Sequence, residues 1–214
     1  MAMLGKIAVI GTGGIGGFYG GLLARAGQDV TFIGRSDFAS IRERGLRVQS
    51  DVGLSFSLDA VQITDQPEQL GVVDWVIVAT KTTGNDDVAE WIAPMISECT
   101  SIVTLQNGLG NDQFFAQRFP DADVFGGLCF VCLNRLSPGV IHHLDQGRVN
   151  LGVHRGSETA LDHFVSACVE AEIEATPVDD LAKAQWRKLF WNIPFNGLAV
   201  AMGGKNCAEI LAED

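Results

Sequence analysis

The stretch Lys6-Ile7-Ala8-Val9-Ile10-Gly11-Thr12-Gly13-Gly14-Ile15-Gly16 decides the fold. Lys6–Ile10 is a short β-branched run of the kind that fills a buried parallel strand. Gly11-x-Gly13-x-x-Gly16 follows at once. A helix-like stretch then runs from Gly17 to Ala26 and ends at Gly27, and Val30–Ile33 reads as a second strand. Strand, glycine turn, helix and strand in about thirty residues is the context a dinucleotide fingerprint requires. Gly11 permits the tight turn, Gly13 lets the backbone approach a pyrophosphate, and Gly16 lets the helix close onto the strand. The free N–H groups and dipole of the helix start favour the phosphate charge. Thr12, Gly14 and Ile15 complete the turn and are expected at the cofactor with these glycines.

Cofactor choice is read at the end of the second strand. An Asp or Glu there would bind the ribose 2′-hydroxyl of NAD. The sequence is instead Phe32-Ile33-Gly34-Arg35-Ser36, with Asp29 before the strand and Asp37 beyond Arg35. A guanidinium suits a 2′-phosphate, so Arg35 points to NADP(H).

The alternation continues downstream. Short strands at 46–48 and 54–58, a buried strand at 72–79, a helix at 86–96 interrupted by Pro94, a strand at 101–105, a helix at 112–118 and a long apolar strand at 124–133 follow in turn. This pattern predicts an α/β, Rossmann-type, doubly wound, mostly parallel sheet with helices on both faces. Ligands of such sheets bind outside the carboxyl ends of the strands. Lys81 and Asn107 occupy two of those ends, as a cation for an anionic ligand and as an amide donor and acceptor. A surface lysine and an Asn-Gly turn are the plain alternatives. After Pro138, residues 140–144 and 149–153 read as two further strands joined by a turn. The adjacent His142 and His143 would face opposite sides of a strand and so cannot share one metal. No metal site is expected. Ser157 opens an amphipathic helix to Ala171.

Composition narrows the class of function. The 214 residues are 47% hydrophobic and 19% charged, enough for a core and too little charge for a disordered chain. A formal net charge of −11 argues against nucleic acid and anionic membrane as partners. Five cysteines form no disulfide framework, and Cys129-Phe-Val-Cys132 reads as a pair of buried small residues. Lacking a signal-like start and any apolar run of membrane length, the chain reads as cytoplasmic.

The stretch 179–202 is the most informative one after the glycine turn. Its acidic start suits a helix N-terminus. Lys188, Asn192 and Asn196 fall at i, i+4 and i+8 on one face, among Leu189, Phe190, Trp191, Ile193 and Phe195. Polar groups in that setting need partners, from the protein or from a ligand. Pro194 removes a backbone donor and should kink the helix. Asn206-Cys-Ala-Glu209 has the form of a capping box.

Taken together, these residues resemble the ketopantoate reductase (2-dehydropantoate 2-reductase) family of the 6-phosphogluconate dehydrogenase-like superfamily. The resemblance runs from residue 6 to the chain end. It is carried by Gly11-x-Gly13-x-x-Gly16, Arg35, Ala79-Thr-Lys81, Gln106-Asn107-Gly108, Pro138-Gly139, and Trp186-Arg-Lys188-x3-Asn192-x3-Asn196. It implies NADPH-dependent reduction of 2-dehydropantoate to (R)-pantoate, on the route to pantothenate and coenzyme A. By that likeness Lys188 is the general acid and Asn107 bridges cofactor and substrate. Asn192, Asn196 and Asn206 bind the substrate's polar groups, and Lys81 lies at the cofactor.

Residues 1–177 would then be the NADP(H)-binding domain, and 178–214 the truncated start of a helical C-terminal domain. The family's later serine and glutamate have no counterpart here, since the only subsequent acids are Glu209, Glu213 and Asp214. A fragment, a naturally short relative and a site completed by another chain all fit, and the apolar face of the 181–202 helix would suit a homo-oligomer. Reduction of another 2-oxo acid, and a non-catalytic NADP(H)-binding module, are the alternative functions.

Overall fold

Strands buried along their whole length form the middle of the sheet, as a parallel sheet covered on both faces demands. The computed structural model describes residues 2–212. The first half runs β1 (Lys6–Ile10), α1 (Gly14–Arg25), β2 (Asp29–Ile33), α2 (Phe38–Arg44), β3 (Leu46–Ser50), β4 (Phe56–Leu58), β5 (Gln62–Thr64), β6 (Trp75–Val78) and α3 (Asn85–Ile92). It continues through β7 (Ser101–Thr104), α4 (Asn111–Arg118), β8 (Asp123–Ser137), β9 (Val140–Arg155), α5 (Glu158–Glu170), β10 (Ala175–Pro177), α6 (Leu181–Ala201) and α7 (Cys207–Leu211). Pro94 ends α3 as expected, and Ala93–Met95 is a single 3-10 turn.

The strand order is β4-β3-β9-β8-β7-β6-β1-β2-β5, with β10 added beside β9. From β5 through β8 every neighbour is parallel. β8 with β9 and β3 with β4 are antiparallel. The chain leaves β1 towards β2 on one side and takes up β6 on the other, so the glycine turn after β1 sits at the switch point where such sheets bind ligands.

Period-two alternation divides the apolar residues between two cores. On one face Ile7, Val9, Phe32 and Phe125 pack with Phe18, Tyr19, Leu22 and Leu23 of α1 and with Leu161 and Phe164 of α5. Trp75 stacks against Phe164 with ring centres 4.7 Å apart. On the other face Ala8, Ile10, Ile33 and Val78 meet Val88 and Ile92 of α3 and Phe115 of α4. Each of these large side chains contributes ~1.5–3 kcal/mol through burial.

Two expectations need correction. Residues 140–144 and 149–153 are two halves of one strand, β9, and both pair with β8. Gln146 and Gly147, at φ 61° and 134°, make a bulge in place of a turn. Cys132 is exposed and Cys129 buried, because a three-residue step along a strand changes face. α6 runs from Leu181 to Ala201 with Pro194 inside it.

Candidate active site

The glycine turn has the shape that its spacing predicts. Gly11 has φ +97°, and a Cβ on Gly16 would stand 2.0 Å from the Gly11 carbonyl oxygen. Gly13 faces open space, with nothing within 4 Å of a built Cβ. α1 starts at Gly14 with no side-chain cap and no acid in its first turn. Its first N–H groups and dipole therefore remain available to an anion. An open cradle against an uncapped helix start fits a dinucleotide diphosphate.

Gly34 and Arg35 follow β2, as expected. The Arg35 guanidinium carbon lies 3.6 Å from the Trp91 ring centre, and Nη2 is 4.0 Å from Asp87 Oδ2. Trp91 thus supports the planar cation by stacking, while 58% of the Arg35 side chain stays exposed. A hollow beside it is lined by Asp65, Glu68, Glu90 and Pro94 as well. Lys81 is exposed just past β6, where it precedes a 3-10 turn.

The second half of the site depends on how closely α6 approaches the sheet. Gly126 of β8 is in register with Gly152 of β9. A Cβ on Gly126 would lie 2.8 Å from Leu181 Cδ2, and one on Gly152 would lie 3.0 Å from Leu181 Cβ. The glycine pair therefore seats the first turn of α6, which Asp180 caps by accepting from the Lys183 N–H at 2.9 Å. Lys188, about two turns along, reaches β8 and the loop after β7. Its Nζ donates to Asn107 Oδ1 at 2.7 Å and to the Cys129 carbonyl at 2.8 Å. It also lies 5.4 Å from the Phe130 ring centre. Burial lowers the Lys188 pKa from its ordinary 10.5, and the neighbouring Cys129 partly opposes that shift. Burial likewise pushes the Cys129 thiol up to about 11, against opposing effects of Lys188 and Tyr19.

Asn107, Gly108, Lys188, Leu189 and Asn192 line one pocket together with Gln106 and Asn111. Spacing did not reveal what holds Asn107. Gln106 Nε2 donates to Asn85 Oδ1 at 2.8 Å and to the Thr80 carbonyl at 3.1 Å, and Thr104 Oγ1 donates to Gln106 Oε1 at 3.0 Å. Asn85 Nδ2 donates to Asn111 Oδ1 at 3.0 Å, and Asn111 Nδ2 to the Asn107 carbonyl at 3.1 Å. This chain of amides ties the ends of β6 and β7 to the start of α4. Gln106 stood in a motif, whereas Asn85 and Asn111 gave no signal of their own.

Two expected residues lie apart from this cluster. Asn196 is exposed and does not line the pocket. Asn206 is used as a cap: Oδ1 accepts from the Glu209 N–H at 3.0 Å, and its own N–H donates to Glu209 Oε2 at 2.8 Å. Glu213 and Asp214 lie outside the described residues. His142 contacts Asp51, and the buried His143 contacts Ser50 and the Gln146 carbonyl. Among the described residues no group of His, Cys, Asp and Glu could hold a metal ion, and no helix is long and apolar enough to cross a membrane. The outer face of α6 exposes Phe190, Trp191, Ile193 and Val200.

Comparison with known proteins gives a consistent result. The family described as "Ketopantoate reductase PanE/ApbA" matches residues 7–156. A 2-dehydropantoate 2-reductase of Nostoc sp. is 36% identical over 97% of this chain and 66% of its own length. The crystal structure of 2-dehydropantoate 2-reductase from Geobacter metallireducens GS-15 is 40% identical, with a TM-score of 0.91 over 98% of this chain and 69% of that one. D-mandelate dehydrogenase, in a ternary structure with NADH and anilino(oxo)acetate, is 26% identical with a TM-score of 0.81, over 91% of this chain and 63% of that one. The chain spans about two thirds of the length of the curated relatives it matches.

Proposed function

Because the chain belongs to the ketopantoate reductase PanE/ApbA family, we propose that it reduces 2-dehydropantoate to (R)-pantoate with NADPH. The observation that carries this reading is the Lys188 Nζ to Asn107 Oδ1 contact of 2.7 Å, at the strand ends where a Rossmann sheet binds its ligands.

Bound at the glycine turn, the dinucleotide supplies the hydride. The turn and the start of α1 hold its diphosphate, and Arg35 on its Trp91 platform meets the 2′-phosphate. Lys81, past β6, adds a cation near the phosphates. Lys188 works at the ketone. Negative charge grows on the carbonyl oxygen as the carbonyl carbon gains hydride, and an ammonium held there stabilises that charge and delivers the proton. The oxygen becomes a hydroxyl and Lys188 is left neutral, to be reprotonated from solvent. Its lowered pKa eases that transfer. Asn107 aims the ammonium and keeps its own Nδ2 group for substrate or cofactor. Asn192, on the same pocket, is placed to bind the substrate's polar groups. Asn196 and Asn206 take part only if a segment or partner beyond the described residues closes over α6 and α7. Residues 1–177 then serve as the cofactor domain, and 178–214 begin a helical one. The apolar outer face of α6 suits a homo-oligomer.

The likeness to D-mandelate dehydrogenase favours a second reading for the substrate, an aromatic 2-oxo acid with NADH as donor. Rates with 2-dehydropantoate and benzoylformate, each with NADPH and NADH, separate the two. The proposed function expects 2-dehydropantoate with NADPH to be the best pair. Cofactor binding with no turnover on either acid would leave a non-catalytic NADP(H)-binding module.

A further inference from the structure

A buried carboxylate joins the two loops assigned to the cofactor. Asp37 is fully buried. Its Oδ2 accepts from Thr12 Oγ1 of the glycine turn at 3.3 Å. Its Oδ1 accepts from Ser36 Oγ at 2.8 Å and pairs with Arg135 Nη2 at 3.0 Å. Arg135 comes from β8, whose Leu133 lies against the first residue of α1: a Cβ on Gly14 would be 3.1 Å from Leu133 Cβ. One carboxylate thus ties the diphosphate turn, the Arg35 loop and the end of β8 together. The Arg135 side chain remains 41% exposed.

We infer that Arg135 is a selectivity-determining residue: by neutralising Asp37 it lets Arg35, on Trp91 and beside Asp87, read a 2′-phosphate. This rests on the NADP(H) reading above. A carboxylate buried two residues from Arg35 acts on the site in two ways unless it is paired. It repels a phosphate dianion through a medium that screens poorly, and it draws the Arg35 guanidinium inward. The Arg135 guanidinium offsets that charge where it arises. Asp37 can then hold Thr12 and Ser36 without an electrostatic cost to the ligand. A ribose without the phosphate carries no charge at that position, so NADH feels the pair only through the diphosphate that both dinucleotides share, and less strongly. A purely structural ion pair would affect both dinucleotides alike.

The test compares NADPH and NADH dissociation constants, with thermal unfolding in parallel, for the wild type and the variants Arg135→Gln, Arg135→Lys, Asp37→Asn/Arg135→Gln and Arg35→Ala. Arg135→Gln is expected to weaken NADPH roughly tenfold and NADH about threefold or less. The double variant has no unpaired charge and is expected to recover the wild-type ratio, while Arg135→Lys keeps the charge and the ratio. Equal weakening of both dinucleotides in Arg135→Gln, or a folded double variant that fails to recover, overturns the inference. Should Arg135→Gln not fold, a folded Arg135→Lys that loses the ratio overturns it too. Collapse of the preference in Arg35→Ala but not in Arg135→Gln refutes the role of Arg135 alone. A wild type indifferent to the phosphate, with Arg35→Ala changing nothing, overturns the NADP(H) reading and this inference with it.

Discussion

Lys188 Nζ and Asn107 Oδ1, 81 positions apart in the chain, meet at 2.7 Å across the gap between α6 and the end of β7. The contact does two things. It holds an ammonium on the pocket lining, and it uses the Asn107 oxygen, which leaves donation to the amide N–H groups. Lys188→Ala is therefore expected to reduce turnover about 10²–10⁴-fold, with NADPH affinity nearly unchanged. Stopped-flow turnover and fluorescence titration of the cofactor check the two halves. Unchanged turnover would remove Lys188 from the chemistry.

The lowered Lys188 pKa has a pH signature. Reduction needs the protonated amine, so kcat should fall as pH rises through that pKa, below 10.5. Stability moves in the opposite sense. A depressed lysine pKa means that the fold disfavours the proton, so the cost is fully present at low pH. It is lifted as pH rises from the folded pKa towards the unfolded one. A pH–kcat profile beside pH-dependent urea unfolding tests both. A Lys188→Met variant should lose the stability gain.

The amide chain beneath Asn107 should matter more for catalysis than for cofactor binding. Asn85→Ala removes the acceptor of Gln106 and the donor to Asn111. It is expected to cost about 1–3 kcal/mol of stability and to lower kcat more than it raises the NADPH dissociation constant. Equal effects on both quantities would reduce the chain to scaffolding.

Two glycine substitutions separate fold from ligand. A Cβ at Gly13 meets nothing in the protein, at φ −70°, whereas a Cβ at Gly16 strikes the Gly11 carbonyl. Gly13→Ala should change stability by less than about 1 kcal/mol yet weaken NADPH strongly. Gly16→Ala should destabilise by about 1–3 kcal/mol. Denaturant unfolding and cofactor titration of both variants check this contrast.

The parts of the fold that were legible in the sequence are local ones. β1, the glycine turn, α1 and β2 follow one another without interruption, and each glycine has its own steric reason. The turn expected at Gly147 is a bulge of the β8–β9 ribbon, because a positive-φ glycine serves a turn and a bulge equally well. Lys188 and Asn192 share the pocket, but Asn196 does not. At about 100° per residue, i+8 has rotated roughly 80° away from i. The amide chain was illegible because its members are brought together by strand ends lying 21 to 26 residues apart. The Asp37–Arg135 pair was hidden for the same reason. Asp37 looked only like an acid in the wrong place for a ribose.

The central claim is that Lys188 protonates a ketone while the dinucleotide at the glycine turn reduces it. A single-turnover reaction with NADPH deuterated at the nicotinamide C4, mixed with 2-dehydropantoate, tests it most directly. The predicted result is pantoate carrying deuterium at C2, formed by the wild type and at least about 10²-fold more slowly by Lys188→Ala. Saturated cofactor with no deuterium delivered from either face of C4 would contradict it.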